Sequence, residues 1–251
     1  MTDPARPLWI FLHVPKCGGT TLKAHLERHF TMDEQLVDFT HWGRSYRERH
    51  GRPDFADRPA ADRARAEVLA GHHLDHRVRD LVPGPRETRF VTVLRDPAER
   101  CVSLYNFRWS RGRAPDDFER WYEDWYRAHQ ADFMVRFFAE TLFGADLPAD
   151  AGQRLAMAQQ MLARCWFVTT TERWDEGLDR LCGAMGIPAD WRRHRTAGEA
   201  PALPASHPAQ RETLMRRLTL DDALRDRIRA DSPGDVALVE WVRRHRWPAA
   251  D

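Results

Sequence analysis

The chain has 251 residues, of which 42% are hydrophobic and 10% aromatic, enough to build a real core and to exclude wholesale disorder. Its 39 basic and 38 acidic residues leave a formal net charge of +1, which argues against a dedicated nucleic-acid binder. Four cysteines do not make a disulfide scaffold at this length, and no apolar run approaches the ~20 residues of a membrane-spanning helix.

Residues 8–14 (LWIFLHV) form a nearly continuous apolar run, the pattern of a strand covered on both faces. Only Arg6 flanks it and no small-residue cleavage pattern follows, so a buried strand is expected there and not a signal-peptide core. Residues 15–19 break the run. Leu22, Leu26 and Phe30 then recur at helical spacing, which predicts a helix from Thr20 onward. Residues 41–65 are polar and Arg-rich, a loop leading to a helix start. Residues 67–71 (EVLAG) predict a second strand and residues 90–94 (FVTVL) a third. Asp96 and Pro97 end that third strand, and residues 98–107 read as a helix with Pro97 in its first turn.

Phe118, Trp121, Tyr122, Trp125 and Tyr126 line one helix face at spacings of three and four. Core packing is the expected role, with a wall for an acceptor molecule as the alternative. Residues 132–142 and 149–163 predict further helices, 165–169 (CWFVT) a fourth strand and 174–185 another helix. Residues 192–210 are rich in Pro, Ala and Arg and read as a long loop, followed by helices at 218–230 and 235–246. There is no internal repeat. Strands alternating with helices predict an α/β domain spanning 1–251 with a mainly parallel sheet. Ligands of such sheets sit at the carboxyl ends of the strands.

Three marked segments stand at those ends. The first is Pro15-Lys16-Cys17-Gly18-Gly19-Thr20-Thr21, between a buried strand and a helix. Glycines allow close backbone approach, helix-start N–H groups attract an anion, the threonines add hydroxyl donors and Lys16 adds a mobile charge. This is phosphate-binding chemistry. It is not the triphosphatase loop, whose lysine follows the glycines, because Lys16 precedes them here. The second segment follows residues 90–94. Arg95 stands at the strand end and Ser103 about two turns into the next helix, a fork of donors and a hydroxyl that can converge on a phosphate. The third is Gly71-His72-His73.

The two anion motifs together resemble the carbohydrate-type sulfotransferases that use 3′-phosphoadenosine 5′-phosphosulfate (PAPS). His13-Val14-Pro15-Lys16-Cys17-Gly18-Gly19-Thr20-Thr21-Leu22 resembles the loop of that family that holds the 5′-phosphosulfate. Leu94-Arg95-Asp96-Pro97, with Arg100, Ser103 and Tyr105, resembles its 3′-phosphate motif, and Gly71-His72 the strand end that carries the base in the 2-O-sulfotransferase branch. Residues 167–178 and the C-terminal helices also resemble family segments, so the resemblance runs from about residue 8 to about 243. Cys17 stands where the family more often has Thr. Residues 192–199 lack the Asn and Ser expected of a late nucleotide-contacting loop.

The resemblance implies a P-loop-like three-layer α/β fold, its central, mainly parallel sheet flanked by helices. It implies a cytoplasmic enzyme that moves a sulfuryl group from PAPS to a hydroxyl of a carbohydrate or small molecule, with no metal, nucleic acid or membrane span. Lys16, Cys17, Gly18, Gly19, Thr20 and Thr21 would hold the 5′ side of the nucleotide, and Arg95 and Ser103 the 3′-phosphate. Lys16 would also steady the leaving group, and His72, with His73 second, would take the acceptor proton. His13 would hold the loop. Two other readings stand beside this one: a P-loop kinase or nucleotide-binding protein, and a catalytically inactive nucleotide-binding scaffold. The stretch 41–52, with Arg44, Arg47, Arg49, Arg52, Trp42 and Tyr46, suits acidic sugars but reads first as a solvated basic loop. Only two of the 39 basic residues are lysines, Lys16 and Lys23. Lys23 reads as a solvated helix position. Lys16 stands where a compact, flexible ammonium is useful.

Overall fold

The computed structural model describes residues 6–39, 54–72, 74–190 and 218–245. His73, the basic stretch 41–52 and the loop 192–199 lie outside the described residues.

Strand β1 (Leu8–Leu12) is buried at every position, which requires cover on both faces. Helix α1 (Gly19–His29), strand β2 (Leu36–Asp38), the short helix α2 (Ala60–Arg63), strand β3 (Val68–Gly71) and strand β4 (Thr88–Leu94) follow, and then helix α3 (Pro97–Trp109). The aromatic segment begins as α4 (Phe118–Trp121), widens to a π-helical turn (Tyr122–Tyr126) and ends as α5 (Arg127–Gln130). Helices α6 (Phe133–Phe143) and α7 (Ala151–Arg164), strand β5 (Phe167–Thr170) and helices α8 (Trp174–Met185), α9 (Asp222–Asp231) and α10 (Pro233–His245) complete the chain.

The five strands form one sheet in the order β2-β3-β1-β4-β5. Every pairing is parallel: Leu12 lies beside Gly71 of β3 and Thr92 of β4, and Leu94 beside Thr170 of β5. β2 is a strand the sequence did not announce. At three residues it is too short to show a period, and it is held by pairing with β3.

The pleat of β1 sorts its side chains into the two cores. Leu8, Ile10 and Leu12 join Phe138 of α6, Met161 of α7 and Leu238 of α10. Trp9 and Phe11 join Leu22 and Leu26 of α1 and Leu178 and Leu181 of α8. Helices thus cover both faces, giving three layers. Each such side chain contributes roughly 1.5–3 kcal/mol by leaving water, so these clusters hold the layers together. A third cluster joins Tyr105 of α3 to Phe118, Trp121, Tyr122 and Tyr126 and to Ile228 of α9. The aromatic face is therefore core, and the acceptor-wall alternative does not hold for it.

Lys23 departs from the expectation of a solvated position. Its Nζ pairs with Asp38 at the end of β2 and, at 3.4 Å, with Glu27. Burial alone would lower its pKa, but the hydrogen bond and charge of Asp38 outweigh that and raise it. Lys23 ties α1 to the sheet edge.

Candidate active site

The carboxyl ends of β1, β3 and β4 are neighbours in the sheet, so the three marked segments meet. After β1 the backbone turns left-handed at Lys16 (φ 71°) and at Gly18 (φ 80°), which curls the loop onto the start of α1. A lysine in that region carries roughly 1–3 kcal/mol of strain, the kind of cost that clusters at functional sites. Both glycines are also dictated by rings. A Cβ on Gly18 would stand 2.3 Å from the Trp174 indole, and one on Gly19 would stand 2.0 Å from the His13 imidazole.

The N-terminus of α1 is left open to a ligand. Asp96, Asp117, Asp150 and Asp221 cap α3, α4, α7 and α9 by accepting from first-turn amides. Helix α1 has Gly18 at its cap, and among the described residues it has no side-chain cap and no acid in its first turn. Its positive dipole end therefore faces a cleft of about 670 Å³ lined by Lys16, Gly18, Gly19, Thr20, Thr21, His72, Arg95 and Ser103. These are the residues that the sequence singles out, except Cys17. The Cys17 side chain points into the core, only 1% exposed, and burial pushes its thiol up to about 12. Any contribution of Cys17 to the cleft would come from its backbone.

Lys16 Nζ lies 4.0 Å from the centre of the Phe107 ring. Burial first, then the charges of Arg95 and Arg111, lower its pKa to about 8. It remains cationic at neutral pH. Arg95 bridges the two motifs, donating from Nη1 to the Lys16 carbonyl at 3.4 Å and from Nε to Glu99 at 3.3 Å. Glu99 in the cleft wall sits four residues after Arg95 and holds it in place. Arg100, almost fully buried, donates to the Pro15 carbonyl at 3.3 Å and to Gln130 at 2.6 Å, with its guanidinium 4.2 Å from the Phe133 ring. It fastens α3 to the loop. Phe107, Thr171, Glu172 and Trp174 also line the cleft, residues to which the sequence assigned no role. Phe107 lies one turn beyond Ser103, and the other three follow β5, so strand-end position was the signal available for them.

His72 stands just past β3. Its Nδ1 lies 2.6 Å from the His13 carbonyl. A carbonyl oxygen only accepts, so Nδ1 carries the proton and Nε2 the lone pair, the tautomer a base needs. The His13 ring packs 4.2 Å from the His72 ring and stacks on Phe11. Burial, then the charge of His72, lower the pKa of His13 to about 3. His13 stays neutral and does not compete for the proton. Beyond His72 lies a second cavity of about 510 Å³, with Leu74, Phe133 and Phe137 as apolar wall and Asp75, His129, Arg136 and Glu140 as polar wall. Among the described residues, His72 alone lines both cavities.

Among the described residues, no helix is long and apolar enough to cross a membrane. No curated protein matches the chain. A sulfotransferase structure from Alicyclobacillus acidocaldarius shares the fold at 17% identity, with a TM-score of 0.51, over 96% of this chain and 97% of that one. Mouse sulfotransferase SULT7A1 complexed with PAP aligns at 12% identity over 96% of this chain and 90% of that one, with a TM-score of 0.48. The family model described as "Sulfotransferase family" matches residues 5–228, and the chain belongs to that family.

Proposed function

We propose that the protein is a PAPS-dependent sulfotransferase that acts on a hydroxyl of a carbohydrate or small molecule, and that His72 is its base. The observation that carries this reading is the place of His72 between the cleft at the start of α1 and a second, mixed cavity. The cleft fits a bisphosphorylated nucleotide: one uncapped helix start, one lysine, one arginine and four hydroxyls converge on it, and the helix start carries no acid.

PAPS, when bound, supplies an activated sulfuryl group and a phosphate leaving group. The start of α1, with Thr20 and Thr21, would bind the 5′ side. Lys16 would donate to the oxygens on which charge grows, a task of electrostatic positioning. Arg95 and Ser103 would hold the 3′-phosphate. An acceptor in the second cavity would offer its hydroxyl to Nε2 of His72, which takes the proton while Nδ1–H stays on the His13 carbonyl. Apolar contact would come from Phe133 and Phe137, and hydrogen bonds from His129, Arg136 and Glu140.

Calorimetric binding and sulfuryl-transfer assays test this. Adenosine 3′,5′-bisphosphate should bind more tightly than Mg·ATP. His72→Ala should keep bisphosphate affinity within about threefold and lose about 10²–10⁴-fold in transfer rate. A preference for Mg·ATP would sink the proposal in favour of a kinase-like protein. Tight bisphosphate binding with no transfer by the wild type to any member of an acceptor panel would make it a nucleotide-binding scaffold.

A further inference from the structure

Away from the cleft, at the far end of α1, two histidines one helical turn apart meet a carboxylate that arrives from a different element. His25 and His29 lie on the last turns of α1, and Asp190 lies just beyond α8. His25 Nδ1 is 3.6 Å from Asp190 Oδ1, and His29 Nε2 is 3.4 Å from the same oxygen. All three atoms lie within 4.8 Å of one another. A tetrahedron of about 2.0 Å metal bonds has edges of about 3.3 Å, so two of the three edges already have ligand spacing and the third is no longer than 4.8 Å.

The surroundings fit a metal ligand as well. His25 is fully buried, and its other ring nitrogen, Nε2, lies 3.4 Å from Cys182 Sγ. That contact holds the ring with Nδ1 toward Asp190. His29 and Asp190 are partly exposed, which leaves an entry path and room for water as a further ligand. Two imidazoles and one carboxylate favour Zn²⁺ and its neighbours in the transition series over Mg²⁺ or Ca²⁺. His25 and His29 stand at a spacing that zinc sites use, but Asp190 is remote from them in sequence and joins them only through the packing of α8 on α1.

We propose that His25, His29 and Asp190 form a Zn²⁺ site that pins the end of α1 to the turn after α8. The site stands on these side chains alone and not on the sulfotransfer reading. Metal-free full-length protein, prepared by chelation, would be titrated with ZnCl₂ against a chromogenic chelator, and its melting temperature followed with and without Zn²⁺. One equivalent should bind with a dissociation constant of micromolar or below, and Zn²⁺ should raise the melting temperature. His29→Gln and Asp190→Asn, at partly exposed positions, should fold normally and each lose at least tenfold in affinity. Co²⁺ in place of Zn²⁺ should give the visible absorption of a four-coordinate site, lost in both variants. Should wild-type protein bind no more tightly than 100 µM, or both variants bind Zn²⁺ as the wild type does, the site does not exist.

Discussion

Lys16 combines three unusual properties at one residue: a left-handed backbone, an aromatic ring beneath its ammonium and a pKa lowered to about 8. An arginine would keep the charge, but its planar fork cannot sit as a compact point charge over Phe107. Lys16→Arg should therefore keep bisphosphate affinity within a few fold and lose about 10²-fold in transfer rate, the scale of one removed electrostatic donor. The direction of the shift adds a pH signature. In the free enzyme the cation is present below about pH 8 and lost above it, so nucleotide affinity should fall as pH rises through that value. In Lys16→Arg the fall should vanish. Near-wild-type turnover in that variant would show that charge alone matters at this position, and an unchanged pH profile would show that the titrating group is not Lys16. The sequence made Lys16 conspicuous by the scarcity of lysine. It could not show Phe107, because that contact depends on how α3 lies against the loop.

At the scale of elements, α6 and α10 cap one another. Asp235, fully buried, accepts from the amides of Met134 and Val135 at the start of α6, while Asp132 accepts from the amide of Asp235. Burial raises the Asp235 pKa to about 6. Asp235→Ala would strand two buried amides and should cost about 2–4 kcal/mol in urea unfolding, whereas Asp235→Asn, which still accepts, should cost less than half of that. Equal losses would show that the charge, and not the acceptor, is what α6 needs. Strand and helix existence was legible where the apolar pattern was long: β1, α3 and α8 stand where their periodicity put them. Helix α9 starts at Asp222, later than expected at 218, because Leu218 instead donates its amide to Asn106. β2 and the reciprocal aspartates were not legible. A three-residue strand has no period, and a cap between remote helices has no local signature.

At the scale of the molecule, His13 sits where β1, β3 and α1 meet, and it must stay neutral for them to stay packed. Its pKa is about 3 in the folded state and near 6.5 when unfolded. Below pH 6.5 the unfolded chain takes up a proton that the folded chain refuses, so stability falls as pH drops from 6.5 toward 3. Between pH 6.5 and pH 5 this contributes about 2 kcal/mol of loss, readable as a falling urea midpoint, and His13→Asn should flatten that slope. A wild-type midpoint that stays level over this range would remove His13 from the account of acid sensitivity. His13 also has a consequence for how the sequence can change. Its ring fills the space that a side chain at 19 would need, and its carbonyl sets the proton on His72. The carbonyl survives any replacement at 13, but the ring does not. Descendants of this chain can therefore exchange residues 13 and 19 as a pair, a smaller side chain at 13 for a larger one at 19, without disturbing the hydrogen bond to His72. A change at 19 alone would have to displace the imidazole.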